Sequence, residues 1–139
     1  MKDSNLLVSH CETRANEPLR IYVAGPYTPR RCSLHDAARI AQHNVDRAIE
    51  VAVQLIEKGH YVYIPHLTHY IHIHRSCNRD YGEYYYELDL SFLIYWANSL
   101  YYIAPSEGSD RELRLAEDLG YRIFRSIDEV PDLRLDLNV

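Results

Sequence analysis

Two carboxylates in this chain stand where nucleophilic or acid–base work could be done. Glu112 comes six residues after Ser106, in the run Pro105-Ser106-Glu107-Gly108-Ser109-Asp110-Arg111-Glu112. The apolar segment Leu100 to Ala104 precedes this run and reads as a short buried strand. Ser106, Gly108 and Ser109 read as a tight turn. From Asp110 the spacing of Leu113, Ala116 and Leu119 predicts a helix that Gly120 stops. A strand, a small polar turn and a helix present a helix N-terminus to an anionic ligand. Glu112 is then expected in the first helical turn, where it either complements the helix dipole or faces whatever the turn holds.

Asp89 lies between Leu88 and Leu90 in a stretch, Tyr84 to Ala97, that is apolar almost all round and predicts a buried helix. On a wet stripe of that helix Asp89 is ordinary surface. Facing a pocket, its pKa is raised by burial and it becomes a proton donor. Two carboxylates in unlike environments meet the needs of glycosidic bond cleavage with retention: one attacks the anomeric carbon and the other protonates the leaving group.

His66, His69, His72 and His74 have spacings found among metal ligands, but the first pair lacks the intervening glutamate of a zinc helix and no Cys or Asp completes a set. A pocket wall or an interface is the simpler expectation for them. Arg30-Arg31 is by default solvated surface, and a phosphate contact becomes relevant only if a phosphate is argued for. Cys11, Cys32 and Cys77 are scattered and form neither a disulfide framework nor a zinc knuckle.

These side chains need a scaffold. Residues 1–18 are polar and unpatterned and are expected to be a flexible extension ahead of a single domain, 19–139. Leu19 to Ala24 is rich in β-formers and runs into the Gly25-Pro26-Tyr27 loop. A long helix is expected from Ser33, with Asp36 completing an approximate capping box and Ala37, Ala41, Val45, Ala48, Ala52 and Leu55 on one face; Lys58-Gly59 closes it. Tyr61 to Ile64 reads as a second strand, 66–80 as a functional loop with room for a helical turn, Tyr121 to Phe124 as a further strand, and Ile127 to Val130 as a short helical turn. Alternation of strands and helices predicts an α/β fold with a parallel sheet. Loops 25–32, 65–80 and 105–110 then share one sheet edge, bringing Tyr22, Tyr27, Arg30, Arg31, the histidines, Ser106 and Glu112 together.

Composition narrows the partners. A net charge of −5 gives no basic footprint for nucleic acid. No apolar run is long enough to cross a bilayer and the first residues lack a signal-peptide core, so a cytoplasmic location is expected. Thirteen tyrosines against two phenylalanines favour surfaces where one end of a ring must find a hydrogen bond.

In order along 19–125, the chain carries Ile21-Tyr22-Val23-Ala24-Gly25-Pro26-Tyr27, Asn44-x-x-Arg47-Ala48 and Gly59-His60-x₄-Pro65-His66. Asp89-Leu90 and Ser106-x-Gly108-x-x-x-Glu112 follow, with Ala116 and Gly120 after them. This ordered set resembles the nucleoside 2-deoxyribosyltransferase superfamily, which includes the 2′-deoxynucleoside 5′-phosphate N-hydrolases. The resemblance implies a flavodoxin-like (Rossmann-like) three-layer fold with a parallel sheet of about five strands. It implies Glu112 as nucleophile, Asp89 aiding departure of the base, and Tyr22 bonded to the nucleophile. Transferases acting on free nucleosides usually place an aspartate where this chain has Ser106. A carboxylate there repels a 5′-phosphate, whereas a hydroxyl beside the Gly108 N–H and a helix N-terminus welcomes one.

The expected activity is therefore cleavage of the N-glycosidic bond of nucleoside 5′-monophosphates, 2′-deoxy by preference. Gly25, Tyr27, Arg30, Arg31, His66, Ser106 and Gly108 bind substrate, and no metal or organic cofactor is required. A deoxyribosyltransferase, a metal-dependent hydrolase using the histidines and a non-catalytic nucleotide sensor are the alternatives. The resemblance also implies a homodimer or higher oligomer, with helix 84–96 as a plausible seam.

Overall fold

The computed structural model describes residues 17–27, 34–74 and 82–134. Its elements are β1 (Arg20–Ala24), α1 (Leu34–Glu57), β2 (Tyr61–Tyr63), a 3₁₀ turn (Pro65–Leu67), α2 (Thr68–His74) and α3 (Gly82–Ser91). After α3 come a π-helical turn (Phe92–Trp96), β3 (Ser99–Tyr102), α4 (Glu107–Asp118), β4 (Arg122–Phe124) and a final 3₁₀ turn (Ile127–Glu129). The strands form one sheet in the order β2-β1-β3-β4, and every pairing is parallel. This is a flavodoxin-like three-layer α/β arrangement.

Side-chain alternation along the strands builds two cores, one on each face of the sheet. Ile21 and Val23 of β1, Tyr101 of β3 and Phe124 of β4 point to one face, where Ala48 and Leu55 of α1 meet them. Tyr22, Ala24 and Leu100 point to the other, against Leu93, Ala97 and Ala116 from the π turn and α4. Because β1 and β3 are covered on both faces, they read as continuous apolar runs. Leu55 is fully buried, so Leu55→Ala is expected to cost about 2–5 kcal/mol in a denaturant titration; a loss below about 1 kcal/mol would place Leu55 outside the core.

The sheet has four strands among the described residues, fewer than the five expected. After β4 the chain turns back on the end of α1 instead of extending the sheet. Lys58 Nζ donates to the carbonyls of Ile127 (2.7 Å) and Val130 (2.9 Å), and Leu133 N–H donates to Lys58 O. His60 completes this strap, accepting from Leu19 N–H at Nδ1 (3.0 Å) and donating from Nε2 to Pro131 O (2.6 Å). Gly120 has φ 77°, the left-handed value that ends α4 and that a side chain resists.

Three expectations about local structure need correction. The 66–80 segment is not a loop over its described part: Pro65 starts a 3₁₀ turn that runs directly into α2, and Thr68 Oγ1 donates to Pro65 O at 2.9 Å. The Tyr84–Ala97 helix is not buried all round, since α3 has no fully buried residue and Tyr84, Tyr86, Ile94 and Tyr95 are exposed. Its apolar character comes from tyrosines, whose polar tips tolerate water. The residues expected to form a turn before α4 belong to its first turn, so Glu112 lies in the second turn and Glu107 and Asp110 occupy the first. The expected extension 1–18 lies almost wholly outside the described residues, as does the Ser33 cap.

Candidate active site

At the carboxyl edge of the sheet an open cleft of about 1440 Å³ is lined by Gly25, Tyr27, His66, Asp89, Ser106, Gly108 and Glu112, with Asn44, His69, Tyr85 and Arg111 among their neighbours. The loops after β1, β2 and β3 do converge. Arg30 and Arg31 lie outside the described residues.

Tyr22 lies within the fully buried run Ile21 to Ala24 of β1, and its phenol is wholly enclosed. Its O–H donates to the Glu112 carboxylate, Oε2. Burial, and then the nearby Glu112 and Asp89 carboxylates, push the phenol far above its usual range, so it stays a donor. Opposite Tyr22 in the parallel register stands Tyr63 of β2, with the two rings 5.6 Å apart. Tyr63 O–H donates to Asp89 Oδ1 at 3.0 Å, and its ring stacks on Phe92 of the π turn at 4.0 Å and 8°. Neighbouring strands thus place two tyrosines side by side, and each holds one carboxylate at the cleft.

Burial raises both acids, Glu112 further than Asp89. Burial pushes Glu112 up to about 7; the Tyr22 hydrogen bond opposes this, Asp89 adds to it, and Arg111 opposes it. Burial pushes Asp89 up to about 6, against the Tyr63 hydrogen bond. Asp89 is therefore not on a wet stripe: it lines the cleft.

Ser106 serves first as the N-cap of α4. Its Oγ accepts the Ser109 N–H at 3.0 Å and lies 2.6 Å from Ser109 Oγ, which itself donates to Ala104 O at 2.9 Å. The Gly108 N–H, in the first turn, has no carbonyl one turn back to bond, and a β-carbon on Gly108 would meet nothing within 4 Å. A β-carbon on Gly25 would lie 3.1 Å from the Ile103 side chain, a tight contact to which Ile103 would have to yield. The Gly25 carbonyl and that of Pro26 both accept from His66 Nε2 at 3.1 Å. His66 is thus a brace for the β1 loop as well as a wall of the cleft. Burial holds its imidazole below the usual range.

No protein-family model matches this chain, and no curated protein matches it.

The four histidines do not assemble. His66 turns to the β1 loop, His69 to Tyr27 and Gln42, and His72 and His74 are exposed. Among the described residues no group of three or more His, Cys, Asp or Glu could hold a metal ion. No helix there is long and apolar enough to cross a membrane. Sequence reasoning missed Tyr63, because the register that sets it opposite Tyr22 is fixed only once the strands pair.

Proposed function

We propose that this protein cleaves the N-glycosidic bond of nucleoside 5′-monophosphates, with 2′-deoxynucleotides the favoured class, as a member of the nucleoside 2-deoxyribosyltransferase superfamily. The observation that carries this reading is the pair of half-buried carboxylates, each hydrogen-bonded by a tyrosine from an adjacent strand and facing one cleft. Ionised Glu112 attacks C1′ as the C1′–N bond breaks, and the bonding electrons leave with the base. Asp89 gives the departing nitrogen its proton. Water then attacks C1′, Asp89 takes a proton from it, and the Glu112 ester bond breaks. Configuration is retained after two inversions. Transfer of the sugar to a second base in place of water is the alternative outcome of the same first step.

Glu112 must be ionised and Asp89 protonated, so the working enzyme carries one proton on the pair, in the less populated of its two arrangements. With values of about 7 and about 6, kcat/KM is expected to follow a bell with its maximum between them. It rises as the first proton leaves the pair and falls as the second does; the two limbs belong to the coupled pair and not to either residue. A rate flat from about pH 5 to 8 would contradict this.

The phosphate is assigned to the Ser106–Gly108 turn, where the α4 N-terminus and the Gly108 N–H favour an anion. Because aspartate caps helices about as well as serine, Ser106→Asp leaves α4 intact and places a negative charge at the phosphate. It is expected to lower kcat/KM for a 5′-monophosphate by at least about tenfold, equivalent to about 1.4 kcal/mol, and to affect the matching nucleoside far less. Chromatography of a nucleoside and nucleotide panel, with and without an acceptor base, tests the reading. Base release from nucleotides supports it; no release from any substrate overturns it. A homodimer using the exposed tyrosines of α3, and a cytoplasmic location, complete the proposal.

A further inference from the structure

A chain of hydrogen bonds runs from the protein surface into the cleft through Asp46, Gln42, His69 and Tyr27, and its direction is fixed at the outer end. Asp46 presents only acceptors, so the Gln42 amide nitrogen faces it, at 2.9 Å. The same nitrogen reaches Tyr70 Oη at 3.3 Å. Gln42 Oε1 therefore faces His69 Nε2, at 3.0 Å, which must carry the ring proton. Burial, and then His72, hold the His69 imidazole below its ordinary range, so it is neutral and its Nδ1 is an acceptor. Tyr27 Oη, 2.6 Å from Nδ1, must then donate to it. The phenol spends its only proton on His69, and its remaining capacity is to accept.

The place of that oxygen in the cleft gives the polarity a use. Tyr27 Oη bonds His69 of α2, the helix that follows β2, and Asp89 is held by Tyr63 of β2 itself, whereas Ser106 and Gly108 follow β3 on the other side of β1; burial, and after it the Tyr85 phenol, push Tyr27 up to about 12. Tyr85 and Asp89 are four residues apart on α3 and share a face; both line the cleft with Tyr27. Asp89 marks where the leaving nitrogen must lie, and Ser106 and Gly108 are on a different element. The Tyr27 oxygen is thus at the base end and not at the phosphate end. Asn44 Nδ2 donates to Tyr27 O at 2.9 Å and holds the residue in place.

We infer that Tyr27 is a specificity residue, set as an obligate acceptor by the Asp46–Gln42–His69 relay, and that it selects a nucleobase with an amino group on the edge away from the sugar over its oxo counterpart. This rests on the nucleotide reading of the cleft. An exocyclic amine donates to the phenol oxygen. An oxo group in its place sets two acceptors against each other, and an enclosed polar group left unpaired is costly.

Binding to the Glu112→Gln protein, measured by calorimetry, tests this without requiring turnover. The probes are the 2′-deoxy 5′-monophosphates of adenosine against inosine and of cytidine against uridine. In the pair that fits, the amino nucleotide is expected to bind at least about tenfold more tightly. Adding Tyr27→Phe should bring that ratio close to one. Gln42→Leu should shrink it, because His69 is then free to change tautomer, and Gln42→Glu should shrink it as well, because a carboxylate facing Nε2 favours the imidazolium, whose Nδ1 donates. Equal affinities in both pairs, a preference for the oxo member, a ratio indifferent to Tyr27→Phe, or no binding of any probe overturns the inference. If the ratio holds while the unmutated protein releases no base, the catalytic reading falls and this one stands; base release without discrimination is the converse.

Discussion

Glu112→Gln is expected to lower base release by at least about a thousandfold, because no neighbouring group can replace a nucleophile that forms the covalent intermediate. Glu112→Ala should be equally inactive. The glutamine variant should also be more stable than the unmutated protein at pH 8. Burial raises Glu112 from the ordinary 4.5 to about 7, so between these values the folded state binds more protons than the unfolded chain. Stability therefore falls as pH rises through that window, and above it the protein carries the full cost of an ionised, enclosed carboxylate. Glutamine can still accept from Tyr22 but has no charge to bury. A melting temperature raised by about 2–6 °C at pH 8, with the gap closing below about pH 4.5, is the expected result. An inactive variant that is less stable at pH 8 would mean the carboxylate holds the fold together and is not held by it.

The second large effect is at Asp89. Asp89→Asn removes the proton donor, so reaction with a poor leaving base is expected to slow by about 100-fold or more, while a base activated as a leaving group loses far less. The alkaline limb of the pH profile should go with it, since that limb reports loss of the last proton from the pair. Steady-state rates on one ordinary and one activated substrate measure both effects. Equal losses on the two substrates would make Asp89 a structural partner of Tyr63 and nothing more.

Much of this site was legible in the sequence because topology alone gathers the ends of parallel strands. The β1 run with Tyr22, the loop at Gly25 and the helix carrying Glu112 follow from hydrophobic period and turn residues, and the sheet edge does the rest. What was not legible depended on side-chain direction. Glu112 moved from the first helical turn to the second because Gly108 and Ser109, residues typical of turns, also suit the first turn of a helix whose cap is Ser106. The α3 segment reads as buried if tyrosine is counted as apolar; in the fold those rings lie at the surface or along the cleft. Tyr63 and the Gln42–His69–Tyr27 relay escaped because their partners are 26 to 42 residues away in the chain, and periodicity carries no information at that range.

The most direct test of the central claim is to trap the covalent intermediate. A 2′-fluoro-2′-deoxynucleotide with an activated base slows resolution of a glycosyl-enzyme more than its formation, and intact-protein and peptide mass spectrometry can then locate the sugar. The account predicts one 2-fluoro-2-deoxyribosyl phosphate adduct per chain, on the peptide containing Glu112, and none in the Glu112→Gln protein. An adduct on another residue, or base release with no adduct at any quench time, would contradict it.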